Sequence, residues 1–151
     1  MSNATLHRVP IFRLLLVEDD LGRVADFKKW LPRYVRLVIA ASAGQAMGIL
    51  ERDHGSVYAG VLLDYDLYLQ ALTEVDRHFN GGHVVEAMIE HMKPCDVLIH
   101  SMNATGGGLM ETRLSGGGFP VRRVPFADLN EEKFLAWLAE VRQEFLEEHG
   151  A

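Results

Sequence analysis

The sequence predicts an α/β domain built on a five-stranded, doubly wound parallel sheet. Five short apolar runs alternate with segments in which apolar residues recur at helical spacing, which gives a strand followed by a helix five times. Several of these runs are apolar at nearly every position, as expected of strands buried on both faces of a parallel sheet. Helical segments of this length suit right-handed crossovers between parallel strands, which place helices on both faces.

The five predicted strands follow from runs of apolar residues. The first, third and fourth runs are nearly continuous, so these strands should be buried on both faces. In chain order the runs are RLLLV (13–17), VRLVIA (35–40), VYAGVLL (57–63), DVLIH (96–100) and PVRRV (120–124).

Four amphipathic stripes and one weaker segment predict the helices. Ser42 is placed as the N-cap of the second helix, and Asp128 or Asn130 as that of the last. Residues 109–114 form a shorter and weaker helical segment, closed by the glycines at 116–118. The four stripes are Val24, Phe27 and Leu31; Ala43, Ala46, Met47 and Leu50; Val84, Val85, Met88, Ile89 and Met92; and Phe134, Leu138, Val141 and Phe145.

The length of 151 residues favours a single domain. Residues 1–12 are interpreted as an N-terminal extension and residues 13–148 as the folded domain. The stretch from Tyr68 to Asn80 is long for a connection between a strand and a helix. Because long connections in compact domains often carry function, this stretch is interpreted as a lid over a site.

Composition excludes several classes of protein. An apolar content of 48% with 24% charged residues argues against disorder. A single cysteine, Cys95, excludes a disulfide framework and a zinc site built from several thiolates. The longest apolar runs are about seven residues, too short to span a bilayer. Arg8 and Arg13 interrupt the early apolar run, so no signal peptide is expected and a cytoplasmic location is predicted.

The net charge of −6 is unevenly distributed along the chain. Residues 128–151 hold seven acids and two bases, whereas the rest holds fourteen acids and thirteen bases. Neither part offers the basic surface that duplex nucleic acid requires, so no such partner and no membrane partner are predicted. A small phosphate-bearing ligand is compatible with this composition, because the charge at one site can differ from the average charge of the surface. The sequence indicates no oligomeric state.

Acidic residues follow two of the predicted strands at the edge where parallel sheets bind ligands. Glu18, Asp19 and Asp20 follow the first strand, and Asp64 and Asp66 follow the third. Carboxylates that meet at one edge repel one another unless a proton or a cation intervenes. The predicted ligands of a Mg²⁺ or Mn²⁺ ion are Glu18, Asp19, Asp64 and Asp66. In an alternative interpretation, Asp20 and Asp66 are only turn and cap residues.

A second group of polar residues follows the fourth strand. His100 is predicted as a general acid or base whose pKa a neighbouring carboxylate raises toward neutrality, and the alternative is a buried histidine that fixes a loop. Ser101 and Asn103 are predicted to bind phosphate oxygens, and the glycine turn at Gly106 to offer backbone amides. Strand alternation allows at most one of two successive arginines to reach the ligand, and Arg123 is the candidate.

Several motifs at these strand ends resemble the response-regulator receiver family, whose fold is flavodoxin-like. They are LLLVEDD at the first strand, LLDYDL at the third, a serine after the fourth and Pro-Phe after the fifth. The resemblance covers roughly residues 13–145. It implies a (βα)5 receiver-like domain that binds Mg²⁺.

The same resemblance assigns roles to individual residues. It implies that Glu18 and Asp19 form the acid pair that binds the metal, that Asp64 accepts a phosphoryl group and that Ser101 contacts it. The family's lysine before Pro-Phe is Val124 in this chain. Because that lysine pairs with the phosphoryl group, its replacement argues against ordinary phosphorelay signalling.

A further set of segments is similar to the cyclic-phosphate-processing variant of the receiver family. That variant has a His-Ser-x-Asn segment after the fourth strand, then Gly and Met at the spacing of Gly106 and Met110, and an Arg that Arg23 matches. It usually has His at the position of Tyr65. The matching segments are LDYDL, GGHVVEAM, VLIHSMNATGGGLM and GGGFPVRRVPF.

These observations lead to two functional hypotheses. In the first, the acidic pocket binds Mg²⁺ and binds or processes a phosphoryl or cyclic-phosphate group, which would make the protein a metal-dependent phosphoesterase with Asp64, His100 and Ser101 as catalytic residues. In the second, the chain is an atypical receiver or pseudo-receiver that takes a group from a phosphodonor or docks partners through Asp64. A scaffold role for the acidic C-terminal helix ranks last.

Overall fold

The fold is a single five-stranded parallel sheet with helices on both faces. A computed structural model describes residues 11–53 and 57–149. The strand order is β2-β1-β3-β4-β5, and every neighbouring pair is parallel, which confirms the predicted flavodoxin-like architecture. The strands are β1 (Phe12–Val17), β2 (Val35–Ala40), β3 (Tyr58–Leu63), β4 (Asp96–Ile99) and β5 (Val121–Arg123).

Six helices accompany the sheet in the described residues. They are α1 (Leu21–Trp30), α2 (Ala43–Asp53), α3 (Glu74–Arg77), α4 (Gly81–His91), α5 (Ala104–Gly116) and α6 (Glu131–Glu148). Helices α1 and α6 cover one face of the sheet, and α2, α4 and α5 cover the other. The predicted extension over residues 1–12 lies outside the described residues up to position 10, and the domain boundary stays a prediction.

Strand alternation sends successive side chains to opposite faces of the sheet. In β1, Leu14 and Leu16 pack in the cluster with α1 and α6, whereas Leu15 and Val17 pack in the cluster with α2, α4 and α5. The register aligns Leu16 with Leu62 of β3, and Leu62 in turn with Leu98 of β4. Residues that follow these aligned leucines therefore meet at the carboxyl end of the sheet.

Side-chain caps fix the starts of the helices. Asn130 accepts a hydrogen bond from the Lys133 amide, so it is the N-cap of α6, and Asp128 lies in the preceding 3-10 turn. Ser42 accepts a hydrogen bond from the Gln45 amide, as expected of the N-cap of α2.

Helix α5 is longer than the sequence pattern indicates. It begins at Ala104 and includes three successive glycines, which normally disfavour a helix. Asn103 caps its first turn, and the side chains of Tyr65 and Arg123 pack where Gly106 and Gly107 lack a Cβ. Tertiary packing therefore overrides the low helix propensity of glycine.

The segment interpreted as a lid is tied to the fold at two points. Leu69 donates its amide to Asp19, and Asp76 in helix α3 accepts a 2.7 Å hydrogen bond from the Gly44 amide in α2. Helix α3 is a single turn capped by Thr73. Within the described ranges, no helix has the length and apolar character needed to cross a bilayer. The cytoplasmic location stays a prediction.

Candidate functional site

Three buried ionisable side chains meet at the carboxyl end of the sheet, on the face covered by α1 and α6. Glu18 and His100 are fully buried, and Asp64 is 3% exposed. One potential ligand atom from each lies within 4.8 Å of the other two. Each residue stands two positions after one of the aligned leucines, Leu16, Leu62 and Leu98.

Glu18 is held by three nitrogen atoms. Its Oε2 accepts hydrogen bonds from the backbone amides of Asp19 (3.0 Å) and Asp20 (3.1 Å). Its Oε1 lies 2.9 Å from Nε2 of His100. Burial nevertheless raises the pKa of Glu18, because these contacts replace hydration only in part.

Asp64 has one fixed oxygen and one that faces the cleft. Its Oδ1 accepts a 2.8 Å hydrogen bond from the Tyr65 amide, whereas Oδ2 lies 3.7 Å from Nη1 of Arg23. Burial raises the pKa of Asp64 to about 7, and the negative charge of Glu18 adds to the shift. Burial and the neighbouring negative charge both favour the protonated form of this carboxyl.

Arg23 supplies the one cationic side chain that lines the described cleft. It lies in the first turn of α1, and its Nη1 is 3.7 Å from both Glu18 Oε1 and Asp64 Oδ2. Its guanidinium lies over the ring of Phe126 at 5.2 Å from the centroid. In the sequence, only the family resemblance singles out Arg23, and it implies no role for this residue. Val124, at the lysine position of the receiver pattern, packs in the apolar cluster instead.

His100 differs from the sequence prediction in its protonation. Burial lowers its pKa to about 4, which outweighs the opposing effect of Asp64, so the expected rise toward neutrality is wrong. The ring packs edge-on against Phe27, and Nδ1 has no hydrogen-bond partner. A neutral ring that carries its proton on Nε2 can donate this hydrogen bond to Glu18. His100 therefore holds that carboxylate in place.

The remaining acids line a cleft in front of this cluster. Asp19 is buried, and its Oδ2 accepts a 2.8 Å hydrogen bond from the Leu69 amide. Asp66 is exposed, with Oδ2 3.5 Å from Nδ2 of Asn103. The cleft has a volume of ≈ 170 Å³, below the range of pockets for drug-sized ligands. It is lined by Asp19, Asp20, Arg23, Asp64, Asp66, Tyr68, Leu69 and Met102.

The predicted phosphate-binding turn lies beside the acids but already uses some of its hydrogen-bonding groups. Ser101 Oγ accepts the Asn103 amide at 3.1 Å and retains its own hydrogen for donation. Asn103 Oδ1 accepts the Gly106 amide at 2.9 Å as the N-cap of α5. The Gly106 N–H is therefore not free to bind an anion.

Arg123 does not line the cleft. Its Nη1 donates to the Ala104 carbonyl at 2.9 Å, and its Nε lies 3.8 Å from Glu111 on α5. Arg122 points the other way and pairs with Glu140 of α6 at 2.8 Å. Strand alternation thus directs both arginines to helices, and the structure gives no support to Arg123 as a phosphate ligand.

The donor set of this cleft fits a hard divalent cation. Carboxylate oxygens of Glu18 and Asp64 lie in one buried cluster, Asp19 and Asp64 line the adjoining cleft, and Arg23 is the single opposing cationic side chain that lines the described cleft. Mg²⁺ commonly takes one or two protein carboxylates and completes its shell with water and substrate phosphate. Such an ion would stabilise the ionised form of Asp64, which burial and the charge of Glu18 disfavour.

The chain matches one family model and many solved receiver domains. The model, described as the cyclic-phosphate processing receiver domain, matches residues 13–116. No curated protein matches the chain.

Three solved structures illustrate the similarity of fold. The non-phosphorylated HemR receiver domain of Leptospira biflexa is 23% identical, with a TM-score of 0.65, covering 87% of this chain and 94% of that one. The receiver domain of a putative LuxO repressor from Vibrio parahaemolyticus is 17% identical, with a TM-score of 0.64 and coverages of 89% and 92%. A sensor histidine kinase receiver domain from Pseudomonas aeruginosa, with magnesium in its active-site cleft, is 18% identical, with a TM-score of 0.60 and coverages of 88% and 98%.

Proposed function

The chain belongs to the family of cyclic-phosphate processing receiver domains, and on this premise we propose that it binds a divalent cation and acts on a phosphate ester. Glu18, Asp19 and Asp64 are the proposed ligands of Mg²⁺ or Mn²⁺. The observation that carries the proposal is the buried Glu18–Asp64 pair with Arg23 at 3.7 Å from both carboxylates. A cluster of this kind at the carboxyl ends of β1 and β3 suits a cation together with a phosphate.

The residues of the cleft have distinct proposed roles. A bound divalent cation supplies positive charge to the phosphoryl oxygens. Arg23 binds one of those oxygens, and Ser101 donates its hydroxyl hydrogen to another. Asp64 directs Oδ2 toward the phosphoryl group of the ligand, because Oδ1 already accepts a hydrogen bond from the Tyr65 amide.

His100 has a different role in this proposal from the one expected from its sequence context. The ring is fully buried behind Glu18 and neutral at pH 7, because burial lowers its pKa to about 4. We therefore assign it the positioning of Glu18 rather than proton transfer. A pH–rate profile that keeps its shape in His100→Gln supports this role, whereas loss of one limb of the profile restores His100 as a general acid or base.

Hydrolysis of cyclic phosphates tests the proposal directly. Cyclic nucleotides and 2′,3′-cyclic phosphate ends are incubated with Mg²⁺ or Mn²⁺, and ring opening is measured. Opening breaks one ester P–O bond, adds a water oxygen to phosphorus and protonates the released hydroxyl. Asp64→Asn is expected to lower turnover by at least about 100-fold, because it removes a carboxylate ligand of the proposed cation that acts on the phosphate.

The matched control is a variant of Asp96, another buried aspartate. Asp96 lies at the start of β4, at the opposite edge of the sheet, and is 7% exposed. Asp96→Asn is expected to keep the turnover of the wild type. Equal turnover by the wild type and Asp64→Asn would contradict the proposal.

The second candidate function is signalling, in which Asp64 accepts a phosphoryl group. It is favoured by the fold of the solved receiver domains and by the place of Asp64 in the lining of the cleft. Val124 argues against it, because the pattern's lysine is absent. Incubation with a small phosphodonor followed by intact mass measurement separates the candidates. A stable phosphoryl adduct that Asp64→Asn lacks would favour signalling, and metal binding with turnover but no adduct would favour the esterase.

A further inference from the structure

Tyr65 follows Asp64 directly and lies between the first turns of α4 and α5. Its amide donates to Asp64 Oδ1 at 2.8 Å, and its carbonyl accepts the Gly81 amide at 2.7 Å. Its hydroxyl accepts a 3.1 Å hydrogen bond from Nδ2 of Asn80, the N-cap of α4. These three bonds fix both the backbone and the ring of Tyr65.

The ring of Tyr65 rests directly on the backbone of Gly106 in the first turn of α5. A Cβ added at Gly106 would overlap the ring at Cγ, the ring atom nearest the backbone of Tyr65. An overlap at that atom cannot be relieved by a rotation of the far end of the side chain. Similarly, a Cβ added at Gly81 would overlap the Asp64 carbonyl, so α4 also packs closely here.

Hydrogen bonds link Gly106, which contacts the Tyr65 ring, to the turn that follows β4. The Gly106 amide donates to Asn103, and the Asn103 amide donates to the hydroxyl of Ser101. Leu63 and Ile99 are register partners in β3 and β4, so Tyr65 and Ser101, each two residues further on, follow the same face of the sheet. The ring therefore sets how far this turn stands from Asp64.

We infer that Tyr65 is a positioning residue whose ring holds the turn from Ser101 to Gly106 at a fixed distance from Asp64. The inference rests on the proposed function, because the spacing matters only when a phosphate group lies between Asp64 and the turn. Displacements of the order of 1 Å between binding groups can change rates by about 100-fold. The bond between the Tyr65 amide and Asp64 comes from the backbone, so side-chain substitution leaves it in place.

The test separates binding of the cation from binding of a phosphoryl mimic. Titration calorimetry measures the Mg²⁺ affinity, and then the affinity for beryllofluoride at saturating Mg²⁺. Tyr65→Ala is expected to weaken beryllofluoride binding by at least about tenfold and Mg²⁺ binding by less than about threefold, because the backbone amide of residue 65 still holds the neighbouring ligand Asp64. Tyr65→Phe keeps the ring and is expected to behave as the wild type. Tyr58→Phe, which removes a phenol contact with Asp53 away from the cleft, is its matched control.

A second variant tests the contact from the side of the helix. Gly106→Ala is expected to weaken beryllofluoride binding in the wild-type background but to have little further effect on Tyr65→Ala, because the overlapping ring is then absent. If Tyr65→Ala does not fold, as judged by circular dichroism, Tyr65→Leu replaces it in the comparison with the wild type only, because leucine keeps the Cγ atom that a Cβ at Gly106 would overlap.

The outcomes distinguish this inference from the proposed function. Wild-type protein that binds no beryllofluoride with Mg²⁺ would overturn both. Wild-type binding that persists unchanged in the Tyr65 variant, or a parallel loss of Mg²⁺ and beryllofluoride, would overturn the role of Tyr65 alone.

Discussion

Asp64 illustrates how one carboxylate responds to burial, to a neighbouring acid and to a backbone hydrogen bond. Loss of hydration raises its pKa, and the charge of Glu18 raises it further. The hydrogen bond from the Tyr65 amide opposes these effects only in part. The proposed cation would therefore have to exchange with a proton on Asp64 near neutral pH.

This exchange predicts how metal binding depends on pH. A cation must displace the proton from Asp64, so Mg²⁺ affinity is expected to rise as the pH increases toward about 7 and to level off above it. Calorimetry in buffers of different ionisation enthalpy should show release of about one proton per ion at about pH 6 and of almost none at about pH 8. Asp96→Asn should retain this behaviour. A pH-independent affinity would contradict the assignment of Asp64 as a ligand.

Arg23 should matter more for the phosphate than for the fold. Arg23→Gln removes a charge-assisted contact of about 1.5–3 kcal/mol, so beryllofluoride affinity with Mg²⁺ is expected to fall by about 10–100-fold. Mg²⁺ binding alone should be equal or tighter, since a competing positive charge is lost. Arg122→Gln, which breaks an exposed pair with Glu140, is the matched control. Weaker Mg²⁺ binding in Arg23→Gln would argue against this role.

At the scale of elements, strand alternation explains which polar residues share a face. Glu18, Asp64 and His100 extend the rows of Leu16, Leu62 and Leu98, whereas Tyr65 and Ser101 extend the opposite rows. This arrangement can be predicted from the sequence. Counting residues along each strand tells which face of the sheet the residues after it follow. The carboxylate that the sequence analysis expected beside His100 is Glu18.

Helix α5 shows an element that sequence patterns do not reveal. Its apolar periodicity is weak, and its first half is rich in glycine, so the pattern indicated only residues 109–114. The structure begins the helix at Ala104, because Asn103 caps it and because neighbouring side chains pack against bare glycine backbone. Both causes depend on partners distant in sequence.

Variants of the N-caps of α5 and α6 separate an effect on protein stability from an effect on ligand binding. Asn103→Ala and Asn130→Ala each remove a side-chain cap, so each is expected to lower the free energy of unfolding by about 1 kcal/mol. Only Asn103→Ala should also weaken beryllofluoride binding, because only this cap lies in the turn beside Asp64. Chemical denaturation and calorimetry measure the two effects. Equal binding by both variants would remove Asn103 from the site.

At the scale of the whole molecule, buried acids lie at both edges of the sheet. The carboxyl edge holds Glu18 and Asp64, and the amino edge holds Asp96, close to Glu144 of α6. Burial raises the pKa of Asp96 to about 8, and the hydrogen bond with Glu144 adds to the shift. The positive charge of Arg122, which pairs with Glu140 at 2.8 Å, opposes this shift.

The amino-edge pair predicts how stability depends on pH. A carboxyl whose pKa is higher in the folded chain binds its proton more tightly there, so its contribution is lost as the pH rises through about 8. Relative to Asp96→Asn, the wild type is expected to lose on the order of 1 kcal/mol of unfolding free energy between about pH 5 and pH 9. Urea denaturation of both proteins across this range measures the difference. A constant difference would contradict the raised pKa.

Sequence patterns alone predict the class of fold and the edge of the sheet at which the acids gather. Hydrophobic periodicity and strand-end position are local properties of the chain, and they place Glu18, Asp19 and Asp64 at one edge without reference to other contacts. The protonation of His100, the position of Arg23 and the target of Arg123 are known only from the folded chain. These depend on burial and on helices packed from distant segments, because desolvation and side-chain direction are set by what surrounds a residue and not by its neighbours in sequence.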